Sequence, residues 1–219
     1  MSTASAQLSP ELHEYLVAHG SPPDEVARDL IAETGRVLPD RAEMQISPEQ
    51  GAFLTVLGRL LGVRSAVEVG TFTGYSALAI ARGLAPGGRL LCCDISEDYT
   101  AVARRYWQRA GVADRIELRL APALDTLREL SAEPSLDLSF IDADKEGYVG
   151  YWEEIVPRTR PGGVILVDNV FAGGRVVETD PDHTAVQAIQ QFNEHALADE
   201  RVELVMLPLS DGVTLARKR

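Results

Sequence analysis

The sequence predicts a doubly wound α/β domain with a mostly parallel sheet of seven strands, an antiparallel C-terminal strand pair and additional N-terminal helices. Two observations indicate this class. From Ala66 onward, short apolar runs rich in β-branched residues alternate with helical segments, as βαβ units require. The last two runs are joined only by residues 208–211, a connection too short for a crossover helix, so we expect them to pair antiparallel.

The N-terminal part of the chain is helical in pattern. Apolar residues recur at helical spacing from Leu8 to about Arg41, with a Gly-Ser-Pro-Pro-Asp turn at 20–24. Ser47 and Pro48 are typical of the start of a further helix, predicted over 51–61. We interpret residues 1–45 as a helical extension and residues 46–219 as the main domain of a single globular unit.

The strands and helices of the main domain follow in order. Strands are predicted over 66–69, 89–94, 115–120, 136–142, 163–168, 202–207 and 212–216, and helices over 76–81, 96–110, 123–130, 148–156 and 184–198. The first strand ends at Gly70, and Gly74 precedes the first helix, which is typical of the opening unit of a Rossmann-like sheet. The G-x-x-x-G spacing differs from the G-x-G-x-x-G that binds pyrophosphate, so we expect a nucleoside whose tail is not phosphate.

Composition excludes several classes of function. The net charge of −12 argues against nucleic acid or an anionic membrane as a partner. There is neither a membrane-spanning apolar run nor a secretory signal in the first ten residues, so we expect a cytoplasmic protein. The adjacent Cys92 and Cys93 should face opposite sides of a strand as free core residues. The basic residues 216–219 are interpreted as a solvated tail.

Acidic and amide side chains collect where the predicted strands end, the edge at which such sheets bind ligands. Asp94 ends the second strand and is either an acceptor for a ribose diol or only a solvated cap. Asp142, Asp168 and Asn169 end the fourth and fifth strands. If these strands are neighbours, the two carboxylates repel unless a cation lies between them, and hard oxygen ligands suit Mg²⁺. The alternative is that Asp168 and Asn169 form only a turn.

Five blocks of the sequence resemble the cation-dependent class I O-methyltransferases of the caffeoyl-CoA and catechol type. In order, they are VEVGTFTGYSALAIA, LLCCDIS, FIDADKEGYVGYW, GGVILVDNVFAGG and MLPLSDGVTLARK, and the likeness extends from Met44 to the C-terminus. The resemblance implies S-adenosylmethionine as the cofactor, together with Mg²⁺ or another divalent cation. It also implies a small aromatic acceptor with vicinal hydroxyls, and a homodimer.

The resemblance further implies roles for individual residues. Asp142, Asp168 and Asn169 match the metal ligands, and Lys145 matches the residue near the attacking oxygen, so that Lys145 and Asp142 are the predicted catalytic pair. The residues that match cofactor contacts are Met44, Ile46, Glu68, Gly70, Thr71, Ser76, Asp94, Ala123, Asp142, Asp144 and Tyr151. The chain departs from the family at Ala172, where many relatives carry Trp, so we expect a roomier acceptor mouth.

Two other functions stay open on the sequence alone. A short-chain nicotinamide-dependent oxidoreductase would need G-x-G-x-x-G and usually a Tyr-x-x-x-Lys pair, and the sequence contains neither. A non-catalytic nucleoside-binding protein would leave Asp142, Asp168 and Asn169 without a purpose.

Overall fold

The computed structural model describes residues 9–179 and 182–219. Leu8, where the predicted helical stretch begins, lies outside the described residues, as does most of the segment in which we expect no secretory signal. In the part of the chain that the structure describes, no helix combines the length and apolarity needed to cross a membrane.

Eight α-helices and seven strands make up the described chain. The helices are α1 Pro10–His19, α2 Glu25–Val37, α3 Pro48–Leu61, α4 Tyr75–Gly83, α5 Glu97–Arg109, α6 Ala123–Glu129, α7 Tyr148–Arg158 and α8 Thr184–Leu197. The strands are β1 Ser65–Val69, β2 Arg89–Asp94, β3 Ile116–Leu120, β4 Leu136–Ile141, β5 Thr159–Asp168, β6 Val202–Leu207 and β7 Val213–Lys218.

All seven strands form one sheet in the order β3-β2-β1-β4-β5-β7-β6. The pairs among β1 to β5 are parallel, and β7 runs antiparallel to both β5 and β6. The predicted fold class and the predicted pairing of the last two strands are therefore confirmed. Since β4 and β5 are parallel neighbours, Asp142 and Asp168 lie at the carboxyl ends of adjacent strands, on the same edge of the sheet.

The sheet is covered by helices on both faces, so its central strands β1 and β4 are buried almost throughout rather than at alternate positions. One core packs α2, α3, α4 and α5 against the sheet, and the other packs α6, α7 and α8 against its opposite face. Cys92 lies in the first core and Cys93 in the second, both as free thiols. This confirms the prediction that the two cysteines face opposite sides of β2.

The C-terminal residues differ from the prediction of a solvated tail. Residues 216–218 belong to β7, where Ala216 is fully buried and pairs with Ile165 and Leu204. Only alternate residues of the segment are exposed, as a strand with one buried side chain in two requires. The prediction was wrong because Arg217 and Lys218 were considered only by their charge.

The two N-terminal helices are buried to different degrees. No residue of α1 is buried, and Leu12, Tyr15 and Leu16 are exposed on it. In contrast, α2 buries Ala27 and Leu30 in the core that it shares with α4 and α5. The proposed extension over residues 1–45 therefore contains one helix that supports the core of the main domain.

Candidate active site

A cavity of about 1030 Å³ opens at the carboxyl edge of the sheet. It lies at the ends of β1 and β4, where the strand order changes direction and where doubly wound sheets bind their ligands. The predicted site residues on its wall are Met44, Ile46, Gly70, Thr71, Ser76, Asp94, Ala123, Asp142, Asp144, Lys145, Tyr151, Asp168 and Asn169. Of the predicted set, only Glu68 is not on the wall.

The loop after β1 brings two strand ends close together. Gly70 has a φ of +89°, and a Cβ at this position would overlap the carbonyl oxygen of Asp142. Its N–H donates to the carbonyl of Cys93 at 3.0 Å. Only glycine tolerates both the positive φ and the close approach to Asp142. Gly70 therefore lets the ends of β1, β2 and β4 come together at the floor of the cavity.

Asp94 holds this loop in place. Its Oδ2 accepts from the backbone N–H groups of Thr71 and Phe72 at 2.9 and 2.8 Å, and its Oδ1 accepts from Ser96 N at 2.7 Å. A carboxylate offers about four lone-pair sites, so these three donors leave one site free. The cap of α5 is Ser96 rather than Asp94, since the Ser96 side chain accepts from Tyr99 N. The contact of Asp94 with a ribose hydroxyl stays a prediction.

Glu68 lies beneath the cavity and is completely buried. Neither carboxylate oxygen makes a hydrogen bond among the described residues. Burial raises the pKa of Glu68 to about 7, although the side chains of Ser76, Cys92 and Thr71 lie near enough to lower it in part. The predicted cofactor contact by Glu68 would therefore require the floor of the cavity to open.

The three predicted metal ligands converge at one corner of the cavity. Asp168 is almost completely buried, and Asn169 follows it in a left-handed conformation with a φ of +56°. Burial raises the pKa of Asp142 and of Asp168, and the negative charge of Asp142 raises that of Asp168 further. Two such carboxylates, held side by side, favour the arrival of positive charge.

Lys145 places a positive charge in this corner. Its Nζ donates to Asp142 Oδ1 at 3.2 Å, to Asn169 Oδ1 at 2.6 Å and to Tyr148 Oη at 2.6 Å. Tyr148 in turn donates to the backbone carbonyl of Asp168 at 3.1 Å. One ammonium against two carboxylates leaves a net negative charge, which suits a further cation.

The donor set is made of hard oxygen atoms. Among residues 9–179 and 182–219, no three His, Cys, Asp or Glu side chains form a metal-binding group. The predicted metal ligands are the two carboxylates of Asp142 and Asp168 and the amide oxygen of Asn169. Two carboxylates and one amide leave coordination positions open for water and substrate, an arrangement that fits Mg²⁺.

Aromatic side chains form another part of the cavity wall. Tyr151 donates to Asp144 Oδ1 at 2.6 Å, and Phe72 meets Tyr99 edge to face with ring centroids 5.0 Å apart. Burial, followed by the carboxylate of Asp144, raises the pKa of Tyr151 well above its usual range. This part of the wall offers flat apolar surface for a nucleobase and polar atoms for a sugar.

Polar wall residues that the sequence analysis did not single out include Gln50, Ser210 and Asp211. Gln50 is a buried amide in the first turn of α3. It lies one helical turn before Leu54, and this spacing could have indicated that Gln50 is on the buried face of the helix. Ser210 and Asp211 belong to the short β6–β7 connection, which gives no sequence signal of a site. Ala172 does not line the cavity, and the roomier mouth that we expect from the missing indole stays a prediction.

Known proteins resemble this chain along most of its length. The sequence profile of the O-methyltransferase family matches residues 18–219. Catechol O-methyltransferase of Mycobacterium tuberculosis is 41% identical, over 82% of this chain and 84% of its own, and caffeoyl-CoA O-methyltransferase 2 of Zea mays is 38% identical, over 80% and 70%. The crystal structure of an O-methyltransferase from Bacillus cereus in complex with SAH is 33% identical, with a TM-score of 0.86, and covers 95% of this chain and 97% of that one.

Proposed function

Because the chain belongs to the S-adenosylmethionine-dependent O-methyltransferases of the caffeoyl-CoA and catechol type, we propose that it methylates one hydroxyl of a vicinal dihydroxy aromatic acceptor with the help of Mg²⁺ or another divalent cation. The family excludes both the nicotinamide-dependent oxidoreductase and the non-catalytic nucleoside-binding protein. The observation that carries the proposal is the corner formed by Asp142, Asp168 and Asn169, which Lys145 bridges within the large cavity.

Asp142, Asp168 and Asn169 would hold the cation. The oxygen atoms of the buried Asp168 and of the half-buried Asp142 and Asn169 suit a hard divalent ion. The hydrogen bonds of Lys145 to Asp142 and Asn169 support a preference for positive charge there. Two adjacent hydroxyls of an acceptor could chelate a cation held there, and the cation would supply the positive charge that lowers the pKa of the hydroxyl that reacts. A vicinal pair of hydroxyls fits this requirement better than a single phenol, because chelation also orients the nucleophile.

The cofactor would occupy the half of the cavity formed by the Gly70 loop, Asp94, Ala123 and Tyr151. Met44 and Ile46 would close over the cofactor, since both line the wall in the segment just before α3. S-adenosylmethionine would supply an activated methyl group for the acceptor oxygen, so the residues of this chain mainly have to align the two reactants.

Lys145 would receive the proton that leaves the acceptor hydroxyl, directly or through solvent, after its ammonium has released a proton to solvent. It is held by acceptors on three sides, so its Nζ has a defined position in the corner. Tyr148 would orient Lys145 and is itself anchored to the backbone of β5. This assigns a positioning function to Tyr148 and proton transfer to Lys145.

Three positional isomers of dihydroxybenzene test the proposal. The 1,2-, 1,3- and 1,4-isomers have the same composition, but only the 1,2-isomer can chelate one cation through both oxygens. We expect mass spectrometry to detect a monomethylated product from the 1,2-isomer with S-adenosylmethionine and Mg²⁺, and at most traces from the other two. Equal methylation of all three isomers would contradict the chelating role of the acceptor.

We also propose that the protein is a cytoplasmic homodimer and that residues 1–45 contribute to its contact or to the acceptor mouth. Leu12, Tyr15 and Leu16 of α1 are exposed in the single chain, and a partner subunit would cover these apolar side chains. Glu43 and Met44 line the cavity, which supports a contribution of the same segment to the acceptor mouth. Light scattering on the Tyr15→Ser and Leu16→Ser double variant tests the dimer contact. A variant that keeps the mass of a dimer would contradict this assignment of the interface.

A further inference from the structure

Gln50 is a buried polar side chain that none of the proposed roles uses. It lies in the first turn of α3, and only 1% of its surface is exposed. Its Nε2 donates to Asp168 Oδ2 at 2.7 Å, a hydrogen bond between residues 118 positions apart. Since an ionised carboxylate only accepts, the amide nitrogen is the end of Gln50 that faces Asp168.

The position of Gln50 is fixed by how α3 is built and packed. Ser47 caps the helix by accepting from Gln50 N at 3.4 Å, and Pro48 occupies the first turn. Next to Gln50, Gly51 packs so tightly that a Cβ would lie 2.8 Å from Tyr75 Oη on α4. Further along, a Cβ on Gly58 would lie 3.2 Å from the backbone of Gly83. The helix therefore cannot slide, and the amide keeps a defined direction.

Each oxygen of Asp168 has one donor. Oδ1 accepts from Asn169 N at 2.7 Å, and Oδ2 accepts from Gln50. In the part of the chain that the structure describes, Gln50 is the only side chain that donates to the carboxylate of Asp168. Without it, only Asn169 N would restrain the rotation of this carboxylate about the Cβ–Cγ axis.

The other end of the amide is unpaired. Gln50 Oε1 is buried and has no hydrogen-bond partner among the described residues, although Gln50 lies on the cavity wall. A buried amide oxygen without a donor is costly, and buried polar atoms in folded proteins almost always find a partner. A ligand that brings water or a hydroxyl into this corner would supply the missing donor.

We propose that Gln50 is a positioning residue of the cation site. It fixes the orientation of the Asp168 carboxylate and so sets the affinity for the divalent cation, while Oε1 accepts from a water or hydroxyl that enters with the cation. The segment that begins α3 thus supports the metal corner as well as the cofactor half. The inference rests on the proposed cation site formed by Asp142, Asp168 and Asn169.

The test is the affinity for Mn²⁺, used as a Mg²⁺ substitute, measured by calorimetry on the purified protein without acceptor. Gln50→Met keeps the shape of the side chain and removes the amide, and Gln50→Asn keeps an amide but withdraws it from Asp168. We expect both variants to bind Mn²⁺ about 10–100-fold more weakly, the usual effect of losing a hydrogen-bond partner of a metal ligand. Binding of S-adenosylmethionine and the melting temperature should change little.

Gln45→Met is the matched control. Gln45 lies on the same wall, but its amide donates to the hydroxyls of Thr34 and Thr73 at 3.1 and 2.9 Å and to no carboxylate. We expect this variant to bind Mn²⁺ as the wild type does. If the wild type itself binds no Mn²⁺, the cation site is wrong. If the wild type binds and both folded Gln50 variants bind equally well, only the role of Gln50 is refuted.

Discussion

The ammonium group of Lys145 lies 2.6 Å from Asn169 Oδ1 and so connects the end of β5 with the loop that follows β4. The same Nζ contacts Asp142 Oδ1 and Tyr148 Oη, and the cation also packs over the ring of Tyr148 at 4.8 Å from its centroid. Lys145 is therefore placed by several partners at once. Its position, rather than its charge alone, is what the proposed mechanism requires.

Replacing Lys145 by arginine separates these two properties. Lys145→Arg keeps the charge, but a planar guanidinium is longer than an ammonium and effectively cannot lose its proton. We expect kcat to fall about 100-fold, the lower end of the contribution of a positioned general base, with an unchanged Kd for S-adenosylmethionine.

Lys218→Arg is the matched control, because Lys218 is the only other lysine in the chain and lies at the end of β7. This control should keep the wild-type kcat. A Lys145→Arg enzyme with wild-type kcat would mean that Lys145 acts only as a positive charge.

The sequence predicted that the polar side chains at the ends of β4 and β5 lie together because the topology is simple. Asp142, Asp168 and Asn169 each follow an apolar strand, and the carboxyl ends of adjacent parallel strands meet at one edge. Only the adjacency of β4 and β5 had to be assumed. The conformation of Gly70 was foreseen for the same local reason, since a sharp turn after β1 requires a residue without a Cβ.

Gln50 could not be placed in this way. Its contact with Asp168 depends on how α3 docks against α4, and that docking is set by close approaches such as Gly58 to Gly83. Hydrophobic periodicity indicates which face of a helix is buried but not how far the helix slides along its neighbour. The hydrogen bonds by which Asp94 holds the loop after β1 could not be predicted for a related reason, because the sequence does not specify the shape of that loop.

The burial of Glu68 predicts a pH-dependent stability. Its pKa is about 7 in the folded protein against an ordinary value of 4.5, so the folded state favours the protonated form. Its contribution to stability is therefore fully present below about pH 4.5 and is lost as the pH rises through 7. The full loss is on the order of 3 kcal/mol.

Glu68→Gln tests this expectation, because the amide does not titrate. Urea unfolding without cofactor should show that the stability of the variant relative to wild type increases between pH 5 and pH 8.5. Glu133→Gln, at an exposed site, should show no such change. An identical difference for Glu68→Gln at both pH values would mean that Glu68 is not desolvated as the structure indicates.

Gly70→Ala should damage the cavity more than a comparable substitution elsewhere. The new Cβ would overlap the carbonyl of Asp142, so the β1 loop and the β4 end would have to separate. Gly62 is a suitable control, since it has a φ of +62° but no neighbour within 4 Å of a Cβ. We expect Gly62→Ala to cost about 1 kcal/mol of backbone strain, and Gly70→Ala to cost more and to weaken S-adenosylmethionine binding.

Unfolding by denaturant and calorimetry of the cofactor measure these two effects. Equal stability losses at Gly62 and Gly70, with intact cofactor binding in both variants, would contradict the close approach of the two strand ends.

The most direct measurement of the central claim is methyl transfer from S-adenosylmethionine to 1,2-dihydroxybenzene with and without divalent cation. Excess chelator should abolish turnover of the wild type, and added Mg²⁺ should restore it. Asp168→Asn, which keeps the shape of the side chain but removes one charge, should stay folded and show little turnover even with added Mg²⁺. Full turnover by the wild-type enzyme in excess chelator would contradict the account.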